Sequence, residues 1–267
     1  MTFEKLNLII DKLASIDGVD VETIGASVSG KPIRAYHIGN YDDNQIIITA
    51  AIHAREWITA LLTVELVKLY APTCRGGVPP PAGGIYFIPL CNPDGVQIAL
   101  DSSPLWKANG RGVDLNVNFD ADWGTGAQNV RIAGSENYIG PKPNSEPEVQ
   151  ALVDFTLRIN PKATIAYHSK GEEIYYGFEP KGIVIPKSQL KRDARLARKL
   201  GRITGYKAIK TKNSAGGYTD WVSMHLGVPA FTLEVGNDRY DHPIGVEHLP
   251  KIFKQNRKVP RFLLKRN

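Results

Sequence analysis

The sequence predicts a single α/β domain over residues 1–267, built on a mixed, mostly parallel twisted sheet with helices on both faces. Three observations predict it. Short apolar runs alternate with segments of helical periodicity. The cores of those runs are continuously apolar, as in central strands buried on both faces. The side chains able to do chemistry cluster directly after the runs, and open α/β sheets place their sites beyond the carboxyl ends of the strands. A length of 267 residues suits one large domain or two small ones. The nearest thing to a linker is Thr73–Gly84 (TCRGGVPPPAGG), whose three prolines and four glycines stop helix and strand alike. Apolar runs resume directly after it, so it reads as a surface loop within one domain.

In chain order, Phe3, Leu6, Ile9, Ile10, Leu13 and Ile16 follow helical spacing. Ile33–Ile38 and Gln45–Ile52 (QIIITAAI) read as strands, and Trp57–Tyr70 as a helix packed on one side. Ile85–Cys91 (IYFIPLC) is an apolar strand. Ser145–Ile159 opens as Ser-Glu-Pro-Glu, a helix start with acids in its first turn. Ala163–Tyr167 is a short strand, Lys187–Thr204 an amphipathic basic helix and Val228–Val235 (VPAFTLEV) another strand. The tail from Val246 is helical in pattern, with Pro250 and Pro260 interrupting it.

Composition excludes several classes. Hydrophobic residues make up 42% and charged residues 22%, as in a globular protein with a substantial core. No apolar stretch approaches the roughly 18 residues of a membrane span. Glu4 and Asp11 flank an apolar patch too short for a signal peptide. The expected location is therefore cytoplasmic if the chain is complete, and secretion fits a chain whose native N-terminus lies elsewhere. Cys74 and Cys91 are too few for a disulfide scaffold; Cys91 reads as a buried thiol, and a bridge between the two is the alternative. The net charge of +6 is uneven: residues 187–202 and 250–267 hold fourteen of 33 bases and one of 27 acids, leaving −7 elsewhere. These segments read first as solvated helix faces; attraction of an anionic cell-wall polymer or nucleic acid competes, with nucleic acid disfavoured as a partner. No heptad or sticky strand points beyond a monomer.

The chemistry sits at the strand ends. Gln45–Ile52 runs straight into His53-Ala54-Arg55-Glu56, Ala163–Tyr167 into His168, and Val228–Val235 carries Glu234 near its end. Two histidines and two glutamates thus meet on one rim of a sheet. A catalytic zinc takes three His or Asp/Glu ligands and keeps one position for water. His53 and Glu56 fit as a pair three apart at a strand-to-helix turn, with His168 as the third ligand. Zinc brings the pKa of its water towards about 7. A separate carboxylate must then move the proton to the leaving amine, and Glu234 is the candidate. A lone His-x-x-Glu is a frequent accident; convergence from three strand ends is what selects the metal reading.

His53-Ala54-Arg55-Glu56-Trp57, Asn92-Pro93-Asp94-Gly95, the run Gly112 to Phe119, Tyr138-Ile139-Gly140 with Ser145-Glu146-Pro147-Glu148, His168-Ser169 and Thr232-Leu233-Glu234 stand in an order and spacing that resemble the zinc carboxypeptidase (M14) family. The similarity covers about Gly30 to Glu234. The resemblance implies one Zn2+ per chain on His53, Glu56 and His168, Glu234 as catalytic carboxylate, and Asp114 as the acceptor that fixes a histidine ligand. It also implies a peptide substrate. In the family's exopeptidases an Asn-Arg pair grips the terminal carboxylate. Here the pair is Asn116-Val117, and valine cannot form the bidentate guanidinium–carboxylate bond. The family's substrate-covering tyrosine falls near Lys212, leaving Tyr218 as the nearby candidate. The carbonyl-polarising arginine falls at Lys107, which can still act as a point charge, with Arg111 as an alternative donor.

Asn-Val within GVDLNVNFDADWG resembles the bacterial γ-D-glutamyl-L-diamino acid peptidase branch, which implies a muropeptide substrate cut at the γ-D-glutamyl–meso-diaminopimelate bond. An ordinary metallocarboxypeptidase is the alternative. It would need another cation for a terminal carboxylate, such as Lys142, Lys170 or Lys212. A non-catalytic peptide- or polyanion-binding module is the alternative of another class, but a binder has no need of Glu234.

Overall fold

The computed structural model describes residues 1–71 and 82–265. Helix α1 (Phe3–Asp11) is capped by the Thr2 hydroxyl, which accepts from the Lys5 N–H at 3.3 Å, and passes into a 3-10 turn at Lys12–Ser15. Strands β1 (Asp20–Ala26), β2 (Pro32–Gly39) and β3 (Gln45–Thr49) follow, then α2 (Ile58–Tyr70), β4 (Gly84–Ile88) and α3 (Pro93–Asp101). Next come α4 (Pro147–Ile159), β5 (Ala163–His168), β6 (Glu173–Tyr176), α5 (Lys187–Thr204) and β7 (Lys207–Lys210). The chain closes with α6 (Tyr218–His225), β8 (Ala230–Glu234), α7 (Leu249–Asn256) and α8 (Val259–Leu264).

The strands form one sheet in the order β1-β2-β4-β3-β5-β8-β6-β7. The four central strands, β4, β3, β5 and β8, run parallel; β2 joins β4, and β6 joins β8, antiparallel. The expected mixed, mostly parallel sheet is the observed one. Alternate side chains of a strand feed two cores. Ile46, Ile48, Ile165 and Phe231 meet Leu62 and Leu66 of α2, Leu200 of α5, Ile252 of α7 and Leu263 of α8 on one face. Ile47, Ala166 and Ala230 meet Leu152 and Phe155 of α4 and Trp221 of α6 on the other. Each such Ile, Leu or Phe contributes about 1.5–3 kcal/mol on burial.

Several elements differ from the sequence reading. The strand expected over Gln45–Ile52 ends at Thr49, and the helix expected through Ile16 ends at Asp11. β1, β6, β7, α3 and α6 were not anticipated. β1 lies at the sheet edge with a mixed burial pattern, and β6 and β7 are four residues each, too short to show a period. Pro250 and Pro260 do not interrupt the tail helices. They occupy first turns, where proline's missing N–H has no partner to lose. Cys91 is buried, makes no disulfide among the described residues, and has its thiol pKa pushed up to about 12 by burial; Cys74, with the rest of residues 73–81 of the Thr73–Gly84 segment, lies outside the described residues. Among the described residues no helix is long and apolar enough to cross a membrane.

Candidate metal centre and cleft

Beyond β3 the chain passes through Ala51, held in the left-handed region at φ 50°, its N–H bonded to the Thr59 hydroxyl at 2.9 Å. It then tightens into a 3-10 turn at Ala54–Glu56 with His53 at its entrance. Three residues per turn eclipse positions i and i+3, so His53 and Glu56 share one side. His53 Nδ1 lies 2.9 Å from Glu56 Oε1. β5 ends on His168, whose Nδ1 lies 3.0 Å from His53 Nδ1 and 3.0 Å from Glu56 Oε2. All three side chains are buried, at 7%, 4% and 1% exposure. Two imidazole nitrogens face each other across a carboxylate, and only a shared cation or proton reconciles them. Two nitrogens and a carboxylate oxygen are the donor types zinc prefers, so the trio fits a divalent ion.

Charges around the trio reinforce one another. Burial works against ionisation of Glu56, yet both histidines outweigh it and hold its carboxyl far below the usual range. The Ser169 N–H adds a bond to Glu56 Oε2 at 3.1 Å. His53 is raised: burial opposes its charge, and Glu56 and Asp114 overcome that. Asp114 is fully buried, with Oδ1 3.2 Å from His53 Nε2 and Oδ2 2.7 Å from Lys107 Nζ. Burial works against its charge, but Lys107 and His53 hold the carboxyl far below its ordinary value. A histidine whose Nε2–H faces Asp114 presents its Nδ1 lone pair to the ion.

A cleft of about 530 Å³ opens beside the ligands and is lined by His53, Lys107, Asn116, Val117, Lys212 and Glu234 among others. Glu234 closes β8 as the register partner of His168. Its carboxyl pKa is pushed up to about 8, chiefly by burial and further by Glu56, against the pull of His168 and Lys107. The Asn116-Val117 wall is pressed against the Gly216-Gly217 turn. At Gly216 φ is +81°, and a side chain would meet the Val117 carbonyl oxygen at 2.6 Å, so only glycine fits.

The expected site residues divide. His53, Glu56 and His168 converge; Glu234, Lys107, Asn116 and Val117 line the cleft, and Asp114 stands behind His53. Tyr218 is a correction: its ring is fully buried against Phe119, its hydroxyl lies 2.9 Å from that of Thr156, and it turns away from the cleft. Only its backbone N–H serves the site, bonding Asn116 Oδ1 at 3.1 Å. Arg111 also misses the cleft; its exposed guanidinium lies 3.9 Å from Glu146. Of the alternative cations, Lys212 lines the cleft and Lys142 and Lys170 do not. The sequence reading gave no role to several lining residues, among them Thr219, Thr232 and Asp220. The hydroxyls of Thr219 and Thr232 meet at 2.9 Å, and Asp220, raised to about 6 by burial against the Gly217 N–H and Ser214 hydroxyl, lies beside them. Their signal was position alone: Thr232 stands two residues before Glu234, and Thr219 and Asp220 directly follow the glycine pair.

A profile of the family described as zinc carboxypeptidase matches residues 9–258. Gamma-D-glutamyl-L-diamino acid endopeptidase 1 of Lysinibacillus sphaericus is 31% identical over 87% of this chain, and the chain spans 64% of that protein's length. Mouse carboxypeptidase A2 is 30% identical over 81% of this chain and 57% of its own. Among solved structures, bovine thrombin-activatable fibrinolysis inhibitor superposes with a TM-score of 0.83 at 22% identity, covering 100% of this chain and 98% of that one. Murein-tripeptide amidase MpaA from Escherichia coli O157 gives 0.64 at 22%, with 92% of each chain covered.

Proposed function

Because the chain belongs to the zinc carboxypeptidase family, a family of zinc metallopeptidases, we propose that it hydrolyses the γ-D-glutamyl–meso-diaminopimelate bond of peptidoglycan stem peptides. The observation that carries this reading is Val117. It lines the cleft where a carboxypeptidase would present arginine, and no arginine lines the cleft among the described residues. The similarity to the Lysinibacillus gamma-D-glutamyl-L-diamino acid endopeptidase supports a bond of this class.

His53, Glu56 and His168 would hold the zinc, which when bound would supply an acidified water and polarise the scissile carbonyl. The protein's own residues do the rest. Glu234, on the cleft wall at the end of β8, takes the water's proton and hands it to the leaving amine. Lys107 offers a fixed positive charge to the developing oxyanion, its ammonium held by Asp114 at 2.7 Å and by Asn137 Oδ1 at 3.3 Å. Asp114 keeps the His53 ring oriented. Asn116, braced by the Tyr218 N–H, faces the leaving half.

One observation favours a second reading. Lys212 lines the cleft and could receive a terminal carboxylate, which would make the protein an ordinary carboxypeptidase. Mass spectrometry of purified tri- and tetrapeptide muropeptides after incubation separates the two. Scission between D-glutamate and diaminopimelate supports the first; cleavage of N-acylated dipeptides with inert muropeptides supports the second.

A further inference from the structure

Helix α5 carries its charge in one line. Lys187, Lys191, Arg195, Arg198 and Arg202 are all exposed and recur three or four residues apart. At 100° and 1.5 Å per residue they fall within an arc of about 80° and span about 22 Å. The buried Asp193, Leu196, Ala197 and Leu200 lie on the opposite side, so the line points away from the core. Asp193, the one acid of the helix, pairs on that side with Arg192 at 2.8 Å. None of the five bases makes an ion pair among the described residues. The arrangement costs the helix stability twice. Like charges four apart repel, and Lys187 stands at the positive end of the helix dipole with no acid beside it in the first turn. An anionic partner removes both costs.

Apolar surface adjoins both ends of the line. Ile183 and Val184, 50% and 92% exposed, stand just before α5, beyond the buried Ile185. At the other end Ile203 lines a groove of about 380 Å³ with Leu69 and Phe262, all three half-buried. The rest of its edge is Arg257, Lys258, Arg261 and Lys265, which are exposed and make no ion pair among the described residues. Tyr70 braces this edge: its hydroxyl donates to the Arg257 carbonyl at 2.9 Å and accepts from the Arg261 N–H at 3.2 Å. α5 packs against α7 and α8, so the line and the groove belong to one layer of helices. We propose that this layer docks on a bilayer surface containing anionic lipids. Bases spread over neighbouring helices match a surface rather than a single polymer strand. A partner charged throughout leaves Ile183, Val184 and the apolar groove without a role, whereas an anionic lipid offers a negative headgroup and apolar chains together. None of these residues lines the cleft, so docking is separable from hydrolysis and independent of which bond is cut.

The test is sedimentation of the zinc-loaded protein with vesicles of phosphatidylcholine alone, and of phosphatidylcholine and phosphatidylglycerol in equal parts. Binding is expected to the anionic vesicles only, and to weaken as salt screens the charges. A base near such a surface adds about fivefold in affinity, so Lys191→Gln, Arg195→Gln and Arg198→Gln together should lower binding by about a hundredfold. Ile183→Ser with Val184→Ser should lower it by about tenfold, because part of their apolar surface leaves water on docking. These positions are exposed and outside the cleft, so peptide hydrolysis by both variants should match wild type and report that they are folded. Equal recovery with neutral and anionic vesicles, or unchanged binding in either variant, overturns the proposal. Soluble polyphosphate binding as tightly as the anionic vesicles, with no loss in the serine variant, would make the face a site for a dissolved polyanion and overturn the bilayer.

Discussion

His168 and Glu234 are register partners on adjacent parallel strands, both at the carboxyl end. One step of the ladder therefore sets the distance between an ion ligand and the group assigned to move protons. Side chains at matched positions of neighbouring strands point to the same face, so neither residue can leave the site without slipping a buried strand by a residue.

Glu234→Gln preserves shape and removes the base. Turnover is expected to fall by about 10²–10⁴-fold, the usual worth of a positioned proton-transfer group. Zinc content, measured by elemental analysis, should stay near one per chain. Wild-type rates in this variant would reject the role given to Glu234.

Zinc removal should destabilise the fold, because the ion ties together β3, β5 and the turn at Ala54–Glu56. At a thousandfold excess over Kd a ligand adds about 4 kcal/mol. For a chain of this size that is on the order of 10 °C in Tm. Calorimetry with and without chelator measures it, and His168→Ala should match the chelated wild type and gain nothing from added zinc.

Asp220 predicts a pH dependence of stability. Its folded pKa, about 6, lies above its ordinary value of 3.8 because burial penalises the charge. The folded state therefore holds the proton more tightly than the unfolded one. Stability from this group is complete below about pH 4 and is lost as pH rises through 6, by on the order of 3 kcal/mol. Asp220→Asn should flatten the denaturation midpoint across that window relative to wild type; parallel pH curves for the two proteins would show that Asp220 contributes none of it.

Val117→Arg should raise kcat/KM on N-acylated dipeptides with a free C-terminal carboxylate, because it returns a bidentate donor to the cleft wall. About tenfold is expected from one charge-assisted contact. Unchanged rates on these substrates would place residue 117 outside the substrate's path.

Much of this architecture is legible in the residues themselves. Ile46 to Ile48 and Ala163 to Tyr167 announce buried strands because apolar residues occupy both alternating faces, and chemistry-bearing residues directly follow. The ligand trio was legible for that reason, and the amphipathic period of Lys187–Thr204 matches the observed helix, which Gly205 closes in the left-handed region. Tyr218 was misplaced because proximity to Lys212 in the chain says nothing of which face a residue takes on a new helix. The first turn of α6 sends its ring into the α4 core while its neighbours Thr219 and Asp220 line the cleft.

The sheet leaves one margin at β7, whose four residues read Lys-Ala-Ile-Lys. Lysines at both ends, exposed in the structure, guard an otherwise inviting row of peptide groups. Lys210 is ion-paired with Glu179, so the border carries a charge pair, and a strand only four residues long offers few bonds to a second copy. A short strand closed by charged residues makes that border a poor template for strand addition, independently of the catalytic chemistry.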